Sequence, residues 1–491
     1  MTKVVSRNRN LLLLVLCAAM FLDALDTSLV GVALPSIQNE LGLSNATLQW
    51  LVSGYTVTYG GLLLFGGRVA DLFGRRRVFL ASMVLFAVAS LVGGLVSSGE
   101  LLIISRVVKG IAAAFTAPAA MSIITTTFHE GSERNRALGF YSATAAGGYS
   151  LGLILSGILT EANWRLVFFM PVAVALLVIV ATPLTIRADQ PESRQRRSYD
   201  ITGAMTITGS VLLLIFGLVQ APEVGWGAAS TLGALGAAVV LFAIFIAVER
   251  RHSDPTVPLR LFRSWTRSSA SILAVLFAAA SLGWQFVATL YIQQLLGYGP
   301  FQTAMVLLPV GISTPPIALV VTPWLLNRIP MHWVAGIGML FQGAGIVMFV
   351  FVGLESNYLG LMLPGMLLHG IGNGLVFPTM TIAGVQGVDD RQQGVASGVI
   401  TGSYQLGVGL GVAIMASVIT ATVVGSGEGA QLAGYQTAFM TASVIALLGL
   451  LVGFIGLQIR RGTPADAPTA PAEPAGSADA TPPTAATAPQ Q

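Results

Sequence analysis

The stretch FLDALDTSLVGVALP, residues 21–35, lies inside an apolar run that begins at Leu11, yet it carries two aspartates, Asp23 and Asp26, three residues apart. The rest of the chain makes these acids conspicuous: 54% of its 491 residues are hydrophobic and 9% are charged, with a mean hydropathy of +0.78. Soluble domains carry about 25% charged residues. The composition predicts a membrane protein. At the centre of a span an ionisable group costs about 2.5–3.5 kcal/mol on the insertion scale, so such groups are read first as functional.

A transmembrane helix needs about 20 mostly apolar residues, and in lipid only helices and closed barrels satisfy their own backbone. Apolar runs cover 11–37, 47–70, 78–97, 101–127, 137–160 and 166–185, then 201–220 and 231–248. Six more cover 269–295, 302–325, 333–352, 359–384, 394–423 and 435–459. The expected architecture is all-α, with fourteen spans arranged six, two, six. The first run follows Lys3, Arg7 and Arg9 as a secretory signal would, but it is too long and more spans follow.

Lys and Arg favour cytoplasmic loops. With the amino terminus inside, the even connections should be basic. They hold Arg75 to Arg77, Arg134 and Arg136, Arg187 to Arg197, Arg250 to Arg267, Arg328, Arg391 and the terminal Arg460 and Arg461. The odd connections hold Glu40, Glu100, Glu223, Glu355 and Glu428, with Arg165 as the exception. Both termini are therefore expected in the cytoplasm. The bases sit where topology asks for them, so the pI of about 9.4 does not argue for nucleic acid. Cys17 is the single cysteine, which rules out an intramolecular disulfide. Residues 462–491 are rich in Pro, Ala and Thr and read as a disordered cytoplasmic tail.

Between the second and third spans lies GRVADLFGRRR, residues 67–77, with Gly67, Asp71, Gly74, Arg75 and Arg77 in register. The fourth span holds RVVKGIAAA, 106–114, and the first holds LDTSLVGVALP, 25–35. Arginines alone would mark only a positive-inside anchor, but the full set resembles the major facilitator superfamily, in particular its fourteen-span drug:proton antiporters. The resemblance spans residues 11–461. Two motifs depart from the family pattern. Lys109 stands where glutamine is usual, and GLILSG, 152–157, has Leu153 and Ser156 where a proline and a glycine are expected. Gly148, Gly152 and Gly157 keep a glycine face that suits close helix packing.

The resemblance implies two six-helix bundles, 1–190 and 265–461, that rock about a site near the midplane. Residues 191–264 would supply two inserted helices set to the side, followed by an amphipathic link at 252–263. It also implies a cytoplasmic gate in which Asp71 faces the amino end of the 394–423 span, with Arg75 and Arg134 or Arg136 completing the cluster.

At about 1.5 Å of rise per residue, Asp23 lies about 18 Å and Asp26 about 22 Å from the cytoplasmic face; Arg106 lies at about 22 Å and Lys109 at about 18 Å. The depths match pairwise, and the family's fold brings the first and fourth spans together. Asp26 opposite Arg106 and Asp23 opposite Lys109 is the simplest expectation. This quartet is either a proton and substrate site or a pair of static bridges between two helices. Static pairs gain little over apolar packing, which favours the functional reading. The second six-span group has no Asp or Glu within its spans, so coupling is expected in the first. Trp284, Gln285, Tyr291, His369 and Gln405 are candidates for cavity lining there, or for contacts between neighbouring helices.

The resulting expectation is a proton-coupled exporter of amphipathic organic compounds in a bacterial cytoplasmic membrane. It would act as a monomer among lipids, with protons and a small-molecule substrate as its partners. No enzymatic activity, cofactor, metal or nucleic-acid partner is expected. A proton symporter for import and a non-transporting sensor on the same fold are the rivals.

Overall fold

The computed structural model describes residues 2–128, 132–186, 201–251, 262–355, 357–386, 388, 393–423 and 427–458. Most of the 252–263 link and the whole 462–491 tail lie outside them, as do the side chains of Asp71, Arg134 and Arg136.

The chain runs through α1 (Thr2–Leu41), α2 (Asn45–Phe73), α3 (Arg75–Leu95), α4 (Gly99–Thr127), α5 (Ser132–Ala162), α6 (Leu166–Thr185), α7 (Ile201–Val224) and α8 (Ala229–Arg251). It continues through α9 (Trp265–Leu290), α10 (Pro300–Pro316), α11 (Thr322–Leu326), α12 (Met331–Met348), α13 (Leu363–Val385), α14 (Gln393–Thr422) and α15 (Glu428–Leu451). Every apolar run falls on a helix. Among the described residues, eleven helical segments are long and apolar enough to cross a membrane. Pro309, Pro315 and Pro316 interrupt the hydrogen-bond ladder of α10, and a π-helical turn, Ile317–Val321, joins it to α11.

Only Gly74 separates α2 from α3. Its φ of 97° is left-handed, and its N–H donates to the Ala70 carbonyl at 3.1 Å. That conformation is strained for any residue with a Cβ, so the motif glycine is a backbone requirement.

Lipid offers no hydrophobic drive between helices, so close approach depends on small residues. A Cβ on Gly148 would lie 2.6 Å from the Phe21 carbonyl oxygen, and one on Gly152 would lie 2.8 Å from that of Leu25. Both glycines therefore seat α5 against α1. Ser156, in place of the family's glycine, donates to the Leu29 carbonyl and ties the same two helices. Gly157 instead faces α10, where a Cβ would come within 3.0 Å of the Phe301 Cα.

Helices α1 to α6 pack chiefly through α1 with α5 and α6, α2 with α4, and α3 with α4 and α6. Helices α9 to α15 pack through α9 with α13, α14 and α15, and α12 with α13 and α15. Two seams join the sets, α2 with α14 and α5 with α10. The inserted pair is anchored to the seam between the two sets through α7. Thr208 on α7 donates to the Gly61 carbonyl of α2 at 2.7 Å, and Ile215 packs with Val57 of α2 and Ala413 of α14. Helix α7 thus lies across the α2–α14 seam, with α8 packed on its other side.

The end of the helix array near Glu40 is bound by polar contacts. Arg165 Nη1 meets Glu40 Oε1 at 2.5 Å, and Trp164 Nε1 donates to Glu40 Oε2 at 2.6 Å. Arg165, the exception to the charge pattern, is thus paired with an acid at its own end.

Candidate functional site

The first helix delivers two carboxylates to different surroundings. Asp26 is fully buried. One of its oxygens accepts from Arg106 Nη1 at 2.5 Å, and the other accepts from Lys109 Nζ. Arg106 and Lys109 stand three apart on α4, so they share a face and converge on one acid. Each cation is held further. Arg106 Nε donates to the Leu51 carbonyl at 2.8 Å, and its guanidinium lies 4.4 Å from the centre of the Tyr55 ring. Lys109 Nζ donates to Ser90 Oγ at 3.0 Å and lies 4.7 Å from the centre of the Phe86 ring. The three charged groups are therefore fixed by α1, α2, α3 and α4 together.

Asp23 is not the partner of Lys109 that the depth match suggests. It is partly exposed, and its Oδ1 accepts from the Tyr55 hydroxyl, with Tyr59 also interacting with it. Depth along a helix fixes height but not direction around the axis, and Asp23 faces α2 rather than Lys109. Tyr55 and Tyr59 were not singled out from sequence, although their spacing of four on a span is a readable sign of one shared face. Ser90 gave no comparable signal.

Asp23 also borders a cavity of about 10 Å³, with Met83, Phe86, Thr116 and Tyr141 among its walls. That is room for about one water molecule.

The candidates in the second set fare differently. Trp284 is 1% exposed, stacks on His369 with centroids 4.3 Å apart, and meets Phe349 edge-on. His369 bonds Ser281 Oγ at 3.0 Å, and the Tyr291 hydroxyl donates to the Gly353 carbonyl at 2.8 Å. With 0–1% exposure these three are packed between helices. Gln405 is buried in the α2–α14 seam, close to Gly60. Gln285 faces the first set: its Oε1 accepts from the Tyr149 hydroxyl of α5.

Other contacts between the two sets cluster at the Glu40 end. Gln294 Nε2 donates to Gln38 Oε1 at 2.7 Å and Gln293 Nε2 donates to the Val32 carbonyl at 2.9 Å, while within the second set the Tyr435 hydroxyl donates to Gln294 Oε1 at 2.7 Å and holds it in place. Around them opens a cup of about 740 Å³ lined by Gln38, Asn39, Gln293, Gln294 and Gln431. Of the expected gate, Gly67 lies 3.6 Å, measured from an added Cβ, from Pro118 of α4, and Arg75 Nη1 donates to the Ser122 carbonyl at 3.4 Å. Arg77 is exposed. Among the described residues no cluster of His, Cys, Asp and Glu could hold a metal ion.

Comparison with known proteins places this geometry. The chain matches the Major Facilitator Superfamily over residues 16–412. It is 34% identical to the cephamycin export protein CmcT of Amycolatopsis lactamdurans over 457 residues, 92% of this chain and 93% of that one. It is 36% identical to the lincomycin resistance protein of Streptomyces lincolnensis, covering 82% of each. Among solved structures, an inward-facing bacterial homologue of the human lysosomal transporter Spinster superposes with a TM-score of 0.66 at 17% identity, covering 92% of this chain and 97% of that one.

Proposed function

Because the chain belongs to the Major Facilitator Superfamily, we propose that this membrane transporter expels amphipathic organic compounds, antibiotics among them, in exchange for protons. Its relatives support export, since those named above and the puromycin resistance protein of Streptomyces alboniger are antibiotic export and resistance proteins. The observation that carries proton coupling is the buried triad of Asp26, Arg106 and Lys109 with the partly exposed Asp23 beside it. Four ionisable groups sit deep in a helix array with no soluble chemistry to serve, and a carboxylate among them has hydroxyl rather than cationic partners.

In this reading all fourteen helical runs cross a bacterial cytoplasmic membrane, both termini lie inside, and the Glu40 end faces outward. Residues 1–190 and 265–461 act as the two rocking bundles of a single chain, 191–264 is the inserted pair with its linkers, and 462–491 is a cytoplasmic tail. The glutamine contacts at the Glu40 end close the outer side, so cargo enters from the cytoplasm. Asp71 with Arg75, Arg77, Arg134 and Arg136 would gate the inner side.

The test uses inverted membrane vesicles with an acidified lumen. Addition of lincomycin, puromycin or ethidium should release protons from the lumen only when the chain is present, and the compound should accumulate inside. Accumulation that survives collapse of the pH gradient would remove proton coupling.

A further inference from the structure

We propose that Asp23, not the motif acid Asp26, is the group that takes up and releases the transported proton, an assignment that rests on the proton-coupled reading above. Asp26 is completely buried between two cations, one on each carboxylate oxygen. Protonating it would break both salt bridges at once and leave Arg106 and Lys109 with no acid within salt-bridge distance among the described residues. Removing the acid from a buried ion pair is strongly unfavourable, and here one acid serves two cations. Asp26 is thus a fixed anion that holds α4 against α1.

Asp23 differs in every relevant respect. No cation lies within salt-bridge distance of it among the described residues, and it is partly exposed. Its partners are phenol hydroxyls, which hydrogen-bond a carboxylate and a carboxylic acid alike. The ionisable groups around it are Tyr55 and Tyr59 from α2, Arg106 and Lys109 from α4, Tyr141 from α5 and Asp26 from its own helix. Helix α3 contributes the apolar Met83 and Phe86. With both acids ionised the four central charges sum to zero, counting −1 for each of Asp23 and Asp26 and +1 for each of Arg106 and Lys109. A proton on Asp23 makes the sum +1, and the Asp26 triad stays intact in both states.

The adjoining cavity has room for about one water, which would be the immediate proton donor and acceptor for the carboxyl. In each cycle the Asp23 carboxylate forms an O–H bond with a proton delivered by water from the outer side. It later breaks that bond to water on the cytoplasmic side, and nothing is oxidised or reduced. Arg106 touches both acids' surroundings, through Asp26 directly and through the ring of Tyr55. A shift of α2 against α4 as the bundles rock would change what Asp23 faces without disturbing Asp26.

The experiment pairs infrared difference spectroscopy with transport. Purified wild type, titrated from neutral to acidic pH, should show the C=O stretch of a buried protonated carboxyl. That band should be lost in Asp23→Asn and shifted but present in Asp23→Glu. In liposomes, Asp23→Asn should lose accumulation of ethidium or lincomycin driven by a pH gradient and keep counterflow exchange, which moves no net protons. Retained counterflow also shows that the variant is folded. A band unchanged in Asp23→Asn, or gradient-driven accumulation that survives it, overturns the assignment to Asp23 and leaves proton coupling standing. A wild type with neither the band nor a response to the gradient overturns the proton-coupled reading and this assignment with it.

Discussion

Removal of Lys109 tests which acid it serves. In the structure Lys109 Nζ bonds Asp26 and Ser90, so Lys109→Gln leaves Asp26 with Arg106 alone. Breaking a buried pair from one side costs about 3–5 kcal/mol, and the lower end applies because Arg106 still covers one oxygen of Asp26. Asp26→Asn should cost a similar amount by stranding two cations. In Asp26→Asn with Lys109→Gln, each change removes the charge that the other left unbalanced. The double variant should therefore be more stable than the sum of the singles by about 2 kcal/mol, within the range seen for groups in direct contact.

Asp23→Asn with Lys109→Gln should instead be additive to within about 0.5 kcal/mol, because Asp23 bonds Tyr55 and not the lysine. Cys17 makes the measurement direct. It is the chain's one cysteine and is buried, so a thiol-reactive dye reports unfolding of detergent-solubilised protein during a thermal ramp. Strong coupling in the Asp23 cycle together with additivity in the Asp26 cycle would refute the geometry and restore the pairing suggested by depth.

Three further outcomes follow from the packing. Gly152→Val should block assembly of α5 on α1, where a Cβ meets the Leu25 carbonyl at 2.8 Å, whereas Gly147→Ala, with nothing within 4 Å, should be silent in the same Cys17 melt. Thr208→Val removes the hydrogen bond from α7 to the Gly61 carbonyl and should lower stability by about 1 kcal/mol; no shift in the melt would mean that α7 does not support α2 there. Gln38→Leu with Gln294→Leu removes the amide contact at the Glu40 end, worth about 1 kcal/mol net, and should shift the population toward opening on that side. In a Cys17→Ser background, disulfide cross-linking between cysteines placed at Asn39 and Tyr298, which share the cup, should then fall; unchanged cross-linking would dismiss these glutamines as a latch.

What could be read from sequence was set by what one coordinate can carry. Helix positions were legible because lipid demands long apolar runs, and Gly74 was legible because a one-residue link between helices needs a backbone that only glycine adopts easily. The placement of α7 was not legible, since its apolar surface fits lipid and a helix seam equally well. Trp284 and His369 stayed open between cavity lining and helix contact for a related reason. A polar aromatic on a span looks the same whether it faces a cavity or stacks on a neighbour, and only their 1% exposure tells the two apart.

The charge cluster shows the limit most clearly. Counting residues brought all four groups to one region, but residues three apart on a helix differ by about 4.5 Å in height and about 60° in direction. Arg106 and Lys109 are long enough to close that gap, so both reach the single carboxylate of Asp26. Aspartate is too short to do the same. Asp23 takes whatever its own direction offers, which is the pair of phenols on α2. Matching heights therefore predicts two salt bridges where side-chain reach permits one shared acid and one free of cations, and it is that asymmetry on which the assignment of the proton to Asp23 rests.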